Sequence, residues 1–252
     1  MGAVNPNRLR GGALVWLLTL QFFVLETIAQ TRFGGAYSRA GDVISTLGAA
    51  DSAAREPMNA SFVVQAALIL GGVLLFRPVL LRGAGFVARL LLGASALGVL
   101  LVGVFPTDAD STMHAFGAVL HLVGGGLGLI ALAYAVRPRS ETLGTTLALL
   151  GLVGTAATTF FLTGVTGYLG EGGTERAAAY PVPIGLALAG LALWRLGGVA
   201  GEAPAQEGLS RREERARARD ERAALDHARD EALQESVGTG DDPWAGPGRR
   251  GD

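Results

Sequence analysis

Glu26 is the only acid in the first long apolar stretch of the chain, and Gln30 follows four residues later on the same helical face. A carboxyl group inside a bilayer is costly, so it marks a site unless a cation answers it. The ordinary reading is that Glu26 reaches the headgroup layer or pairs with an outer-loop arginine such as Arg32 or Arg39. Other chemistry-bearing residues fall in corresponding positions. Asp42 and Ser45 lie in that loop. Ser61 and Gln65 are again four apart. Thr107, Asp108, Asp110 and His114 fill one short turn, and Glu171, Glu175 and Arg176 fill another. His114 and His121 share a helical face but stand ~10.5 Å apart along the axis. Two imidazoles on one zinc each need their nitrogen ~2.0–2.1 Å from the ion, so this spacing does not make a metal pair. Neither a metal nor a cofactor is expected. His114 is read as making a structural hydrogen bond, with Asp108, Asp110 and Glu26 as its other conceivable partners.

These residues must be positioned by helices that cross a membrane. The chain has 252 residues, of which 50% are hydrophobic and 17% charged, and its mean hydropathy is +0.38. That is too apolar for an ordinary soluble domain. A net charge of −1 excludes bulk electrostatic binding of nucleic acid. Cysteine is absent, which excludes disulfides and thiolate chemistry. Uncharged runs of near-spanning length define six segments, roughly 11–31, 59–80, 85–105, 114–136, 143–168 and 178–197. The expected fold is therefore all-α, a polytopic membrane bundle of six transmembrane helices. A soluble bundle would need polar helix faces, which runs such as Leu143–Leu169 lack. A β-barrel would need apolar–polar alternation, which is also missing.

With the N-terminus in the cytoplasm, eight arginines fall on the inner side (8, 10, 77, 82, 89, 137, 139 and 195) and four on the outer (32, 39, 55 and 176). This split obeys the positive-inside rule and puts both termini in the cytoplasm, with the plasma membrane as the expected location. No small-residue cleavage site follows the first span, which reads as an uncleaved helix. The expected division is a membrane domain over 1–198 and a charged cytoplasmic tail over 199–252. Ser210-Arg211-Arg212-Glu213 reads as a capping box, and pairs such as Glu213–Arg217 and Arg222–Asp226 sit at i,i+4 on a solvated helix. Beyond Gly238 the composition suits disorder.

Within the spans, Thr155, Thr159 and Thr163 form a stripe that either lines a polar path or bonds preceding-turn carbonyls. Gly124-x-x-x-Gly128 and Ala94-x-x-x-Gly98 allow close helix packing, within the bundle or between copies in an oligomer.

Several of these residues recur together. Tyr37-Ser38, Ile44-Ser45-Thr46-Leu47-Gly48, Asn59, Gly103-Val104-Phe105-Pro106-Thr107-Asp108, His114-x-x-Gly117-Ala118 and Glu175-Arg176 follow one another in an order and spacing that resembles the prokaryotic integral membrane family called domain of unknown function 998. The resemblance covers roughly residues 10–197 and implies a six-span layout. Family members often carry Asp where this chain has Thr46, so no carboxylate role is expected there. The layout and the Phe105-Pro106-x-Asp108…His114 turn are also similar to six-helix membrane proteins tied to lipid handling and autophagy. Residues and resemblance together nominate Glu26, Asp42, Ser45, Asn59, Asp108, His114, Glu175 and Arg176 as ligand-binding.

Three functions compete. The first is a non-enzymatic protein whose outer polar cluster binds lipid headgroups or a protein partner. The second is an intramembrane metal-dependent lipid hydrolase using Asp108, His114, His121 and Ser45. The third is a small proton-coupled transporter using Glu26 and the threonine stripe. The histidine spacing weighs against the second, and the lack of an inverted repeat against the third.

Overall fold

A computed structural model describes residues 5–81, 83–202 and 211–238. Among these residues every regular element is helical. Pro6 opens α1 (Pro6–Leu17), where its missing N–H costs nothing, and the Asn5 side chain accepts from Asn7 N at 2.9 Å. A short 3₁₀ turn, Leu18–Leu20, joins it to α2 (Gln21–Thr31). Inside that turn the Thr19 hydroxyl lies 2.6 Å from the Trp16 carbonyl and 3.1 Å from the Pro183 carbonyl, which ties the first span to the last. The chain continues through α3 (Arg55–Leu75), α4 (Ala84–Val104), α5 (Ser111–Val136), α6 (Glu141–Leu162), α7 (Gly170–Ala179) and α8 (Pro181–Glu202).

Six helical stretches are long and apolar enough to cross a membrane: Pro6–Thr31, Arg55–Leu75, Ala84–Val104, Ser111–Val136, Glu141–Leu162 and Gly170–Leu196. The protein is an all-α, multi-pass membrane bundle. Its exposed side chains include Leu74, Leu90, Phe116, Leu149 and Phe160, an outward apolar surface suited to lipid. The first span starts at Pro6 rather than 11, the second runs Arg55–Leu75 rather than 59–80, and two boundaries differ more. The fifth span ends at Leu162 rather than near 168, and the last begins at Gly170 rather than 178. Glu175 and Arg176 read as loop because they are charged, yet both are helical, because their polar groups are answered inside the bundle. Pro181 stands at the first position of α8, where proline is tolerated, so the helix passes into α8 with little interruption.

The tightest packing joins α4 to α5. A Cβ on Gly117 would meet the Gly98 carbonyl at 2.7 Å, and one on Gly124 would meet the Leu91 carbonyl at 2.8 Å. These glycine faces are used inside the bundle, the first of the two packings that their spacing allows. The threonine stripe likewise turns inward on its own helix. Thr155, Thr159 and Thr163 donate to the carbonyls of Gly151, Thr155 and Thr159 at 2.8, 3.0 and 2.8 Å.

Asp110 caps α5 by accepting from Thr112 N at 3.1 Å and Met113 N at 3.0 Å. Asp110→Ala should cost about 1 kcal/mol, visible as a lowered thermal midpoint in micelles. An unchanged midpoint would mean that solvent satisfies these amides equally well.

The second compact unit contributes α9 (Arg211–Gly238), an exposed charged helix over its described side chains. Arg222 and Asp226 form no ion pair at 4 Å or less, so solvation rather than this pairing carries the charges there. Ser210 of the expected capping box, the segment after Gly238 expected to be disordered, and Arg82 of the orientation count lie outside the described residues.

Candidate functional site

Arg176 organises the end of the bundle that carries the connection from Arg32 to Ala54. It is 5% exposed, and Glu26, its partner from the first span, is 1% exposed. Arg176 Nε donates to Glu26 Oε1 at 2.9 Å. Its Nη1 donates to the carbonyls of Arg39, Asp42 and Gly172 at 2.7, 2.9 and 3.0 Å, and its Nη2 donates to the Tyr37 hydroxyl. The planar fork of donors suits this fan of acceptors. Glu26 also accepts from Gln30 Nε2 at 2.9 Å and from the Tyr180 hydroxyl at 2.7 Å. Arg39 approaches Glu26 only to 3.9 Å and bonds instead to Gln30 Oε1 and the Tyr180 hydroxyl. Glu26 thus pairs with arginines counted on the outer side, as expected, with Arg39 only at the edge of ion-pair distance and with Arg176 closely. The main partner comes from the last span, 150 residues away.

The loop can lie this close because α7 begins with glycines. Gly170 has φ +75° and passes against the Ala40 carbonyl, a backbone conformation that favours glycine. A Cβ on Gly172 would fall on the Asp42 carbonyl. Gly173 N donates to the Ala40 carbonyl at 3.1 Å. Tyr37 donates toward the Val43 carbonyl at 3.2 Å, and burial pushes its phenol up from the ordinary value against the pull of Arg176.

Beside this network lies a cavity of about 40 Å³, room for roughly three waters at ~10–15 Å³ each. Its polar wall comes from Ser45, Gln65, His114, His121 and Glu175, and Phe22, Phe62, Val99 and Leu122 supply apolar wall. His114 Nδ1 stands 2.9 Å from the Phe105 carbonyl, and His121 Nδ1 stands 3.0 Å from the Ser95 carbonyl. A carbonyl can only accept, so each Nδ1 carries a hydrogen, and a ring without a second proton keeps a lone pair on Nε2. Glu175 Oε2 accepts from Ile44 N, and no cation lies within 4 Å of its carboxyl group among the described residues. The Ser45 hydroxyl makes no hydrogen bond within the protein and opens onto the cavity, and no fully buried side-chain polar atom among the described residues lacks a partner.

The eight nominated residues thus divide. Glu26 and Arg176 form one network, which Asp42 joins through its carbonyl, while the Asp42 carboxylate accepts from Ser38 N at 2.7 Å. Ser45, His114 and Glu175 line the cavity. Asn59 donates to the Gly48 carbonyl at 2.9 Å and anchors the end of the loop. Asp108 joins neither group and pairs with Arg55 at 3.1 Å on a part-exposed surface. His114 accordingly takes none of its three conceivable carboxylate partners. No group of three metal-ligating side chains assembles among the described residues.

Sequence reasoning underused four residues. Gln21 donates to Gln65 Oε1 at 3.3 Å, and Ser95 braces His121. His121 lies ~15 Å along α5 from Ser111, deeper than the loop-end cluster. Tyr180, which donates to Glu26, is not singled out by its sequence position. The available signal was the cost of a lone polar group in an apolar run, which applies to Gln21, Ser95 and His121 as it does to Glu26.

No curated protein and no solved structure matches the chain. The family described as protein of unknown function (DUF998) matches residues 15–193, a stretch that holds most of the first span, the other five nearly whole, and the network and the cavity. The chain belongs to that family of multi-pass membrane proteins.

Proposed function

We propose that this protein binds a polar lipid headgroup in the cavity at the loop end of its bundle, without catalysing a reaction on it. The arginine distribution supports an orientation with both termini in the cytoplasm and the cavity opening toward the outer half of the plasma membrane. The observation that carries the reading is the convergence of Ser45, Gln65, His114, His121 and Glu175 on one space inside apolar walls. Apolar lining with a few convergent polar groups is the ordinary make-up of a small-ligand site. A position within a lipid-facing bundle favours a lipid as the source of that ligand. The hydrolase reading lacks a cluster of metal-ligating side chains among the described residues. The transporter reading loses its threonine path, because those hydroxyls are occupied on their own helix.

Native mass spectrometry of the protein released from its own membrane in mild detergent tests this. A persistent lipid-sized adduct is expected on the parent chain and should be lost in His114→Ala. A chain that emerges bare under conditions that retain other lipids would overturn the reading.

A further inference from the structure

We propose that the cavity recognises a primary ammonium group, and this rests on the headgroup reading above only for the source of that group. The walls are rich in acceptors. Glu175 brings a carboxyl group whose one partner is the Ile44 amide, and no cation stands within ion-pair distance of it among the described residues. Arg176, its neighbour in sequence, spends its guanidinium on Glu26, Tyr37 and three carbonyls. His114 and His121 are each fixed by a backbone carbonyl at Nδ1, which leaves Nε2 as an acceptor in the neutral ring. Ser45 adds a hydroxyl to the same wall, free to turn its oxygen toward a donor in the cavity. The fixed donor here is the Gln65 amide, whose oxygen already accepts from Gln21.

An anionic phosphate would find one amide and a hydroxyl facing it, together with an uncompensated carboxyl group. A primary ammonium has three N–H donors and a positive charge, the complement of this set. Size points the same way. A cavity of about 40 Å³ has room for roughly three waters, which matches an aminoethyl group. A trimethylammonium is bulkier and has no N–H to donate. The ammonium can come from an ethanolamine-type lipid or from a free amine in solution.

The test uses the full chain, purified in detergent and stripped of amine-bearing lipid. Its thermal midpoint is measured with phosphatidylethanolamine, phosphatidylcholine, phosphatidylglycerol or free ethanolamine. Phosphatidylethanolamine should raise the midpoint by about 5–10 °C near saturation. The choline and glycerol lipids should leave it within about 1 °C, and Glu175→Gln should abolish the shift. Glutamine can keep the bond from Ile44 N, so this variant should remain monodisperse with a midpoint close to the parent's. Its native near-ultraviolet spectrum checks the fold independently. Should Glu175→Gln not fold, Ser45→Ala serves in its place and should weaken the response at least threefold. A shift with free ethanolamine alone upholds ammonium recognition and removes the lipid as its source, so the headgroup reading fails while this one stands. An equal or larger shift with phosphatidylglycerol, abolished by Glu175→Gln, upholds a headgroup site and overturns ammonium recognition. No response to either amine also overturns it.

Discussion

Arg176→Met should destabilise the bundle by about 3–5 kcal/mol, the cost of leaving a buried charge without its partner. Glu26 is 1% exposed, so its carboxylate has no route to water when the guanidinium goes. Three loop and helix carbonyls and the Tyr37 oxygen lose a donor in the same change. Glu26→Gln should cost clearly less. The guanidinium would keep those four acceptors, and the new amide oxygen would still accept from Arg176 Nε or Tyr180. In the double variant the orphaned carboxylate is gone, so the two losses should fall short of additive by about 1–3 kcal/mol. Unfolding of each variant in mixed micelles, followed by tryptophan fluorescence, reads all four corners of the cycle. Additive losses, or an Arg176→Met loss below about 0.5 kcal/mol, would show that the pair is solvated and not structural.

The second large effect is expected at the α4–α5 seam. Gly98→Val should cost about 3 kcal/mol or more, the upper end of what overpacking imposes. A Cβ there would fall on the His121 amide and the Gly117 carbonyl, which are backbone atoms of the facing helix and cannot rotate aside. Separating the helices would also loosen the Ser95–His121 contact one turn away, at 2.9 Å. Gly93→Val on the same helix is the control, because nothing stands within 4 Å of its Cβ position. It should change stability by no more than about 0.5 kcal/mol, as surface substitutions do. Equal losses at 93 and 98 would mean that helix propensity and not interhelical contact governs both.

The helical architecture was legible because it follows from uncharged length alone. Six spans emerge wherever ~20 apolar residues run without a charge. The rule failed at the start of the last span for the same reason. It treats Glu175 and Arg176 as loop residues, whereas a charge is compatible with a spanning helix once a partner on another helix satisfies it. That partner is a tertiary fact, invisible to any local window. The site was half legible. Glu26 stood out as a lone acid, but the choice of Arg176 over Arg32 depends on how the first and last spans meet. His114 was rightly read as a structural hydrogen-bonding residue, and its Phe105 carbonyl partner lies only nine residues away. His121 was weighed only as a metal ligand or acid–base group of a hydrolase, whereas geometry turns it toward the same cavity as His114. Asp108 erred the other way. Its charge and its place in a shared motif suggested the cluster, while the fold gives it a surface arginine.

The bond between Glu26 and Arg176 joins the first of these six spans with the sixth. During biogenesis the carboxylate enters the bilayer at the beginning, and its cation emerges from the ribosome only when the sixth span is complete. Until then every nascent intermediate holds this acid without its closest cation, helped only by Gln30 and by Arg39 at 3.9 Å. A chain that stops before residue 170 can satisfy its hydropathy but not this charge. It should therefore be cleared by membrane proteases faster than the finished protein, which makes the pair a built-in test of completeness.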